Sequence, residues 1–117
     1  MPILAKSGND LNAEILIAWG AHPSVRLWRA NAGQAWVPTK DGARPVQMNV
    51  PGCADLIGIG PGSRFLNIET KSASDSMRES QKNFRAMVER LGGIYIVARS
   101  VEDVDRALEA AGVRRAA

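Results

Sequence analysis

The fold of this chain is decided by residues 64–98, RFLNIETKSASDSMRESQKNFRAMVERLGGIYIVA. Apolar and polar residues alternate over 64–71, which predicts a strand, and the apolar run Ile94–Ala98 is typical of a buried strand. Between them lies an amphipathic helix that begins at an S-x-x-E capping box, Ser76 to Glu79, and ends at paired glycines. Because two strands joined by a helix normally cross over and pair in parallel, this segment predicts an α/β fold.

The segments on either side of this unit complete one predicted domain. The further elements are a helix at residues 11–19 capped by Asn9 or Asp10, strands at 25–29 and 55–59, a turn at 60–62, and a helix at 101–111 capped by Ser100. Residues 31–54 are rich in glycine and proline, which predicts a long loop with one short strand at 46–50. Together these elements predict an α/β sandwich with a mixed central sheet.

The bulk composition indicates one globular domain that favours an anionic partner. The chain has 117 residues, of which 45% are hydrophobic and 23% charged, with a net charge of +3, so residues 1–117 fit one domain. One cysteine and one histidine exclude an internal disulfide, a thiolate zinc site and sites that need several histidines. No apolar run approaches the roughly 20 residues of a membrane span, and no signal peptide is visible. A cytoplasmic location without membrane contact is therefore expected.

A carboxylate pair with a neighbouring lysine is the strongest candidate for chemistry. Glu69 and Lys71 are two residues apart on a predicted strand, so their side chains point to the same face. Asp55 starts the preceding strand of the predicted hairpin and lies beside the end of the next one. Oxygen ligands next to an ammonium group suit a hard cation such as Mg²⁺ and the hydrolysis of a phosphodiester. The alternative is a surface Glu–Lys pair and an unrelated turn aspartate.

Two polar residues on helices are candidates for the same site. Gln81 falls within the apolar stripe of the long helix, where an amide needs a polar partner, and it lies one turn into the helix that follows Lys71. Glu14 lies at the edge of the apolar stripe of the first helix and would supply a third carboxylate. Each has a simpler interpretation, since Gln81 can be exposed at the helix start and Glu14 can be an ordinary solvated glutamate.

A basic stripe flanks Gln81 on the long helix. Arg78, Lys82 and Arg85 recur at helical spacing, which places them on neighbouring turns. Positive charge beside a carboxylate cluster suits a polyanionic substrate whose phosphate must approach a metal ion. The alternative is a solvated helix face that is partly paired through Arg85 and Glu89.

Taken in order, these residues resemble the PD-(D/E)xK nuclease superfamily and, within it, the short stand-alone VRR-Nuc domain of phages and bacteria. Nearly the whole chain takes part in the resemblance. The matching segments are Glu14, residues 29–33 (RANAG), 52–56 (GCADL), 68–71 (IETK), 80–81 (SQ) and 92–95 (GGIY). Ala54 stands where the superfamily pattern has proline, a position that shapes the turn and supplies no ligand.

The resemblance implies a fold and a role for each matching residue. The fold would be a restriction-endonuclease-like sandwich, an αβββαβ core with a C-terminal helix. The implied roles are metal ligands for Asp55, Glu69 and the helix-one acid Glu14, the catalytic lysine for Lys71, support of the site for Gln81, and proximity to the site and to nucleic acid for Arg29 and Asn31.

The resemblance also implies an activity. Its members cut phosphodiester bonds of DNA with Mg²⁺ or Mn²⁺, and the stand-alone forms are similar to Holliday-junction resolvases that act as homodimers on branched DNA. The expected protein is therefore a structure-selective endonuclease of a bacterial or phage-infected cell. The alternatives are a flap, nicking, repair or restriction-type nuclease of the same fold, and a non-catalytic nucleic-acid-binding module.

Overall fold

The computed structural model of the protein describes residues 8–31, 34–47 and 49–115. These residues form three helices, six strands and a short 3₁₀ turn at Pro61–Ser63. In chain order the elements are α1 (Gly8–Trp19), β1 (Arg26–Arg29), β2 (Gln34–Thr39), β3 (Gly42–Gln47), β4 (Leu56–Ile59), β5 (Phe65–Thr70), α2 (Glu79–Arg90), β6 (Ile94–Ala98) and α3 (Val101–Ala110).

A four-stranded mixed sheet forms the centre of the protein. Its strand order is β1-β4-β5-β6, in which β1, β4 and β5 pair antiparallel and β5 pairs with β6 in parallel. The predicted parallel pair joined by a helix, the hairpin before it and the mixed sheet are confirmed. Without the β2–β3 hairpin the order is αβββαβ followed by a C-terminal helix, so the predicted α/β sandwich is confirmed as well.

Helices cover both faces of this sheet because its strands carry apolar side chains on both sides. One core cluster joins α1 and α3 to the sheet, with Ile15, Trp19 and Leu108 fully buried. The Trp19 indole Nε1–H donates to Asp105 Oδ1 over 2.7 Å and ties the two helices together. A second cluster packs Phe84 and Val88 of α2 against Tyr95 and its surroundings on the other face. The end of β5 is thereby held between two packed layers.

The β2–β3 hairpin is the main difference from the sequence-based prediction. Residues 34–47 were predicted as loop, apart from a short strand at 46–50, whereas they form a separate two-stranded antiparallel sheet. Its second strand ends at Gln47, so the predicted strand at 46–50 is misplaced. The hairpin escapes prediction because Pro38 and Pro45 lie within its strands and because most of its side chains are exposed. Prolines are tolerated in edge strands such as these.

The predicted start of the long helix is wrong by two residues. The N-cap of α2 is Arg78 and not Ser76, and the Arg78 backbone N–H donates to Gln81 Oε1 over 2.9 Å. The side-chain amide of Gln81, at the third helical position, thus accepts from the backbone N–H of the N-cap residue. This bond takes the place of the predicted S-x-x-E capping box. The helix ends as predicted at Gly92, which has a φ of +91°.

Two smaller predictions about helix ends have opposite outcomes. The helix α1 begins at Gly8, so Asp10 lies in its first turn and neither it nor Asn9 is the residue before the helix. Ser100 caps α3 as predicted, since its Oγ accepts from the Asp103 backbone N–H over 3.2 Å. In the part of the chain that the structure describes, no helix is long and apolar enough to cross a bilayer.

Replacing Gly58 by alanine is expected to destabilise the central sheet. A Cβ on Gly58 would lie 1.7 Å from the carbonyl oxygen of Arg26 on the paired strand, where only backbone can move. We expect Gly58→Ala to lower the free energy of unfolding by about 3 kcal/mol, measured by urea denaturation. Gly60→Ala is the matched control, because its Cβ would come no closer than 3.4 Å to any other group. Equal stability of the two variants would contradict the strand pairing described here.

Candidate metal and active site

Asp55 is held at the start of β4 by the neighbouring strand. Because Leu56 pairs with Ile68, one further step along the antiparallel ladder brings Asp55 opposite Glu69. The Thr70 backbone N–H donates to Asp55 Oδ2 over 3.1 Å, and the Thr70 hydroxyl donates to the same oxygen over 2.8 Å. These two bonds fix one carboxylate oxygen of Asp55, a residue that also lines the adjoining cavity.

Glu69 is a buried carboxylate, and one of its oxygens has no hydrogen-bond partner among the described residues. Its side chain is only 4% exposed, and its Oε2 has no hydrogen-bond partner among the described residues. Burial, together with the adjacent negative charge of Asp55, raises the pKa of Glu69 to about 8, although Lys71 and Arg78 oppose the shift. Two converging carboxylates without a cation are unfavourable here, because the buried Glu69 has lost its hydration and the half-buried Asp55 repels it. The pair therefore requires a proton or a cation.

The same negative charge acts on other groups around the pair. Burial is the main cause of the raised pKa of Tyr95, and the charges of Glu69 and Asp55 raise it further. Burial likewise raises the pKa of the Cys53 thiol, with Glu69 and Asp55 contributing in the same direction. The charges of Asp55 and Glu69 thus act on two neighbouring groups, Tyr95 and Cys53, and negative charges of this kind attract cations.

Lys71 is positioned by Gln81, as their spacing on consecutive elements suggested. Its Nζ donates to Gln81 Oε1 over 2.8 Å and lies 3.9 Å from Glu69 Oε1, so both sequence-predicted partners meet at the ammonium. Gln81 is 2% exposed, and its Oε1 also caps α2 through the Arg78 backbone. The interpretation of Gln81 as an exposed helix-start residue is therefore wrong. The amide couples the start of α2 to the lysine.

A polar cavity of about 520 Å³ opens over these groups. Asp55, Glu69, Gln81 and Arg78 all contribute to its wall. Gly52 also lines it, and its φ of +86° together with a Cβ position 2.1 Å from the Ser80 carbonyl oxygen leaves room only for glycine. The Pro-Gly dipeptide before the aspartate signals this turn, but only the folded chain shows that the turn packs on the start of α2.

Two functional residues of this site were missed by the sequence analysis. The Thr70 hydroxyl lies 2.8 Å from Asp55 Oδ2 and 2.9 Å from Asn12 Oδ1 on α1, and its single proton is donated to one of them at a time. Thr70 was the middle residue of the E-T-K tripeptide and was not assigned a role. Asn12 carried no signal beyond being a polar residue next to an apolar stripe.

Glu14 does not join the carboxylate pair. Residues two apart on a helix are about 200° apart around its axis, so Asn12 and Glu14 of α1 point to different sides. Among the described residues, no group of three or more histidine, cysteine, aspartate or glutamate side chains lies close enough together to hold a metal ion. The geometry supports Asp55 and Glu69 as a pair and does not add Glu14 as the expected third ligand.

The residues predicted to bind nucleic acid lie in four different environments. Arg78 lines the cavity, whereas Lys82 is exposed outside it. Arg85 pairs with Glu89 over 2.5 Å and lies 5.9 Å above the Tyr95 ring, so the predicted partial pairing of this face is confirmed. Arg29 and Asn31 are exposed on either side of Ala30. The Ala30 backbone N–H donates to the Asp55 carbonyl over 2.9 Å, which places their segment beside the site.

The residues present fit a hard divalent cation. Two carboxylates converge, and one buried oxygen of Glu69 lacks a partner within the described chain. Mg²⁺ and Mn²⁺ prefer oxygen ligands and retain several waters, so two protein carboxylates suffice. The ammonium of Lys71, 3.9 Å from Glu69 Oε1, adds a positive charge beside the pair.

Replacing Gln81 by alanine is expected to impair the site without unfolding the protein. The lysine loses its acceptor and α2 loses one cap bond, so we expect the phosphodiester cleavage that the resemblance implies to be about 10- to 100-fold slower. Asn83→Ala, at an exposed position of the same helix, is the control. A Gln81→Ala protein that cleaves as fast as Asn83→Ala would show that the amide serves stability alone.

In comparisons with known proteins, no protein-family model, no curated protein and no solved structure matches the chain significantly.

Proposed function

We propose that this protein is a metal-dependent DNA endonuclease that hydrolyses phosphodiester bonds. The observation that carries the proposal is the pair formed by the half-buried Asp55 and the buried Glu69. Glu69 Oε2 has no hydrogen-bond partner among the described residues, and Glu69 Oε1 lies 3.9 Å from a lysine that the buried Gln81 holds. Two adjacent carboxylates at a cavity are unfavourable until a proton or a cation neutralises them, and a divalent cation bound there would also serve phosphodiester hydrolysis.

The positions of the side chains support one division of roles in the proposed reaction. Asp55 and Glu69 would hold Mg²⁺ or Mn²⁺, which when bound supplies Lewis-acid activation of the phosphodiester and of the attacking water. Lys71 directs its ammonium at the developing negative charge on the phosphate, or at the attacking water, because Gln81 fixes its Nζ. Arg78 in the cavity wall attracts the phosphate and helps to orient it.

The substrate proposed is branched DNA, and the acting species is a homodimer. A two-fold symmetric dimer presents two active sites to two strands related by the same symmetry, as cleavage of a four-way junction requires. Because DNA is the substrate, the proposed place of action is the cytoplasm of a bacterial or phage-infected cell. A flap, nicking, repair or restriction-type nuclease would share the chemistry and differ in substrate.

The direct test is cleavage of labelled DNA by the purified protein. We expect a four-way junction to be cut in the presence of Mg²⁺ or Mn²⁺, faster than a flap, a nicked duplex or an intact duplex, and not to be cut in EDTA. Equal rates on junction and intact duplex would exclude the resolvase-like assignment. Calorimetric titration with Mn²⁺ separates the nuclease from a binding module, since salt-sensitive DNA binding without metal binding would favour the module.

A further inference from the structure

The β2–β3 hairpin is joined to the site by its base and otherwise projects from the domain. Gln34 and Gln47 are paired at the open end of the hairpin, and both line the cavity that contains Asp55 and Glu69. The remaining side chains of the hairpin are mostly exposed. A two-stranded sheet without a core is marginally stable by itself, so its stable ordering is expected to depend on a partner.

One face of the hairpin continues the wall of the cavity. In an antiparallel pair, residues directly opposite each other share a face, and every second residue of a strand returns to it. Trp36 pairs with Pro45 and therefore lies on the same face as Gln34 and Gln47. It is about 7 Å further along the strand, and its indole is 67% exposed. A flat apolar platform thus lies two residues along the strand from Gln34, which lines the cavity of the carboxylate pair.

The charge of the hairpin favours a polyanion. Residues 34–47 contain the cations Lys40 and Arg44 and the single acid Asp41. Arg78 adds a further cation to the wall of the adjoining cavity. Arg44 pairs with Val37 and therefore lies on the face opposite Trp36, so Arg78 is the cation on the cavity side of the hairpin. An exposed tryptophan beside a cationic wall is a combination that stacks on a base while the phosphates are neutralised. An unpaired base offers its flat face to such a ring, whereas a base within a stacked duplex does not.

The geometry points to residues 34–47 as a DNA-binding wing, in which Trp36 stacks on an unpaired base next to the bond that is cut. The inference rests on the proposed nuclease function and narrows its substrate to DNA with an unpaired nucleotide at the cleavage point, such as a flap base or the branch point of a junction. The wing then supplies recognition of DNA structure, while Asp55, Glu69 and Lys71 supply the chemistry.

Binding measured without metal tests the wing separately from cleavage. The probes are a fluorescein-labelled oligothymidylate and a duplex of the same length, titrated in EDTA. We expect Trp36→Ala to weaken oligothymidylate binding about 10-fold or more and duplex binding much less, and Trp36→Phe to retain most of the affinity. Val37→Ala is the matched control, because Val37 is the next residue of the strand and lies on the opposite face.

A second readout uses the wild-type protein. A four-way junction carrying 2-aminopurine at the branch point should lose fluorescence when the protein binds, because stacking on the indole quenches that base. Trp36→Ala should bind without this quenching, and its Tm should equal that of Val37→Ala. Unchanged oligothymidylate binding and unchanged quenching in Trp36→Ala would contradict the proposal that Trp36 stacks on an unpaired base.

The outcomes separate the wing from the nuclease. Trp36-dependent oligothymidylate binding without cleavage in Mg²⁺ would support the wing and overturn the nuclease function. If wild type and Trp36→Ala cleave branched DNA at equal rates, the proposed DNA-binding role of the wing is wrong and the proposed nuclease function is still supported. If Trp36→Ala instead turns a dimer into a monomer in sedimentation while binding oligothymidylate normally, this face binds a second copy of the chain and the wing is wrong.

Discussion

Lys71→Met is expected to slow the cleavage of a four-way junction by about 10²- to 10³-fold under single-turnover conditions in Mg²⁺. Methionine keeps much of the volume of the side chain and removes the ammonium, which Gln81 otherwise holds 3.9 Å from Glu69 Oε1. A fixed charge directed at the reacting phosphate stabilises the transition state more than the bound substrate, so the loss should appear in the rate constant and little in DNA affinity.

Lys82→Met provides the matched control for this variant. It removes the same charge from an exposed position of α2 outside the cavity, where the ammonium can act only through long-range attraction. We expect a small loss of DNA affinity that disappears at high salt, and an unchanged cleavage rate at saturating protein. If Lys71→Met cleaves as fast as Lys82→Met, Lys71 has no part in the reaction, and the proposed mechanism is wrong.

The centre of the site could be predicted because short-range rules determine it. Strand alternation puts Glu69 and Lys71 on one face, and the tight turn at residues 60–62 forces β4 to pair with β5, which brings Asp55 to Glu69. The role of Gln81 could also be predicted from the sequence, since an amide in an apolar helical stripe needs a polar partner. None of these steps needs the relative orientation of distant elements.

The role of α1 could not be predicted, because it depends on how that helix packs on the sheet. Asn12 and Glu14 both lie near the apolar stripe, and periodicity does not decide which of them reaches the end of β5. The packing of Ile15 and Trp19 rotates the helix so that Asn12 meets Thr70. A tertiary contact selects the residue here, and a hydrophobic pattern carries no information about it.

The hairpin was missed for a different physical reason. Sequence-based recognition of strands depends on burial, which makes apolar residues alternate. Strands β2 and β3 bury little, and Pro38 and Pro45 look like loop residues in the sequence. If Trp36 serves binding and not packing, its exposure follows from its role. Functional surfaces are where local sequence rules are expected to fail.

The metal-free protein is expected to lose stability as the pH rises, because of Glu69. Its pKa is about 8 in the folded protein against 4.5 for a free side chain, with burial as the first cause and Asp55 as the second. Between these values the folded chain binds a proton that the unfolded chain has released, so the free energy of unfolding falls with rising pH. Each pKa unit corresponds to about 1.4 kcal/mol. A decrease on the order of a few kcal/mol is therefore expected by pH 8, levelling off above it.

Glu69→Gln should remove this dependence and reverse the usual effect of a mutation at a buried position. The amide is neutral at every pH and can donate to Asp55, so in EDTA above pH 8 the variant should be more stable than the wild type in urea denaturation. With Mg²⁺ the order should change, because the cation stabilises only the wild type through its carboxylate pair. Glu79→Gln, the same change at an exposed position of α2, should leave both the pH slope and the effect of Mg²⁺ unaltered. If Glu69→Gln is less stable than the wild type in EDTA above pH 8, Glu69 is not an unfavourable buried charge. If Mg²⁺ stabilises the variant as much as the wild type, Glu69 is not a metal ligand.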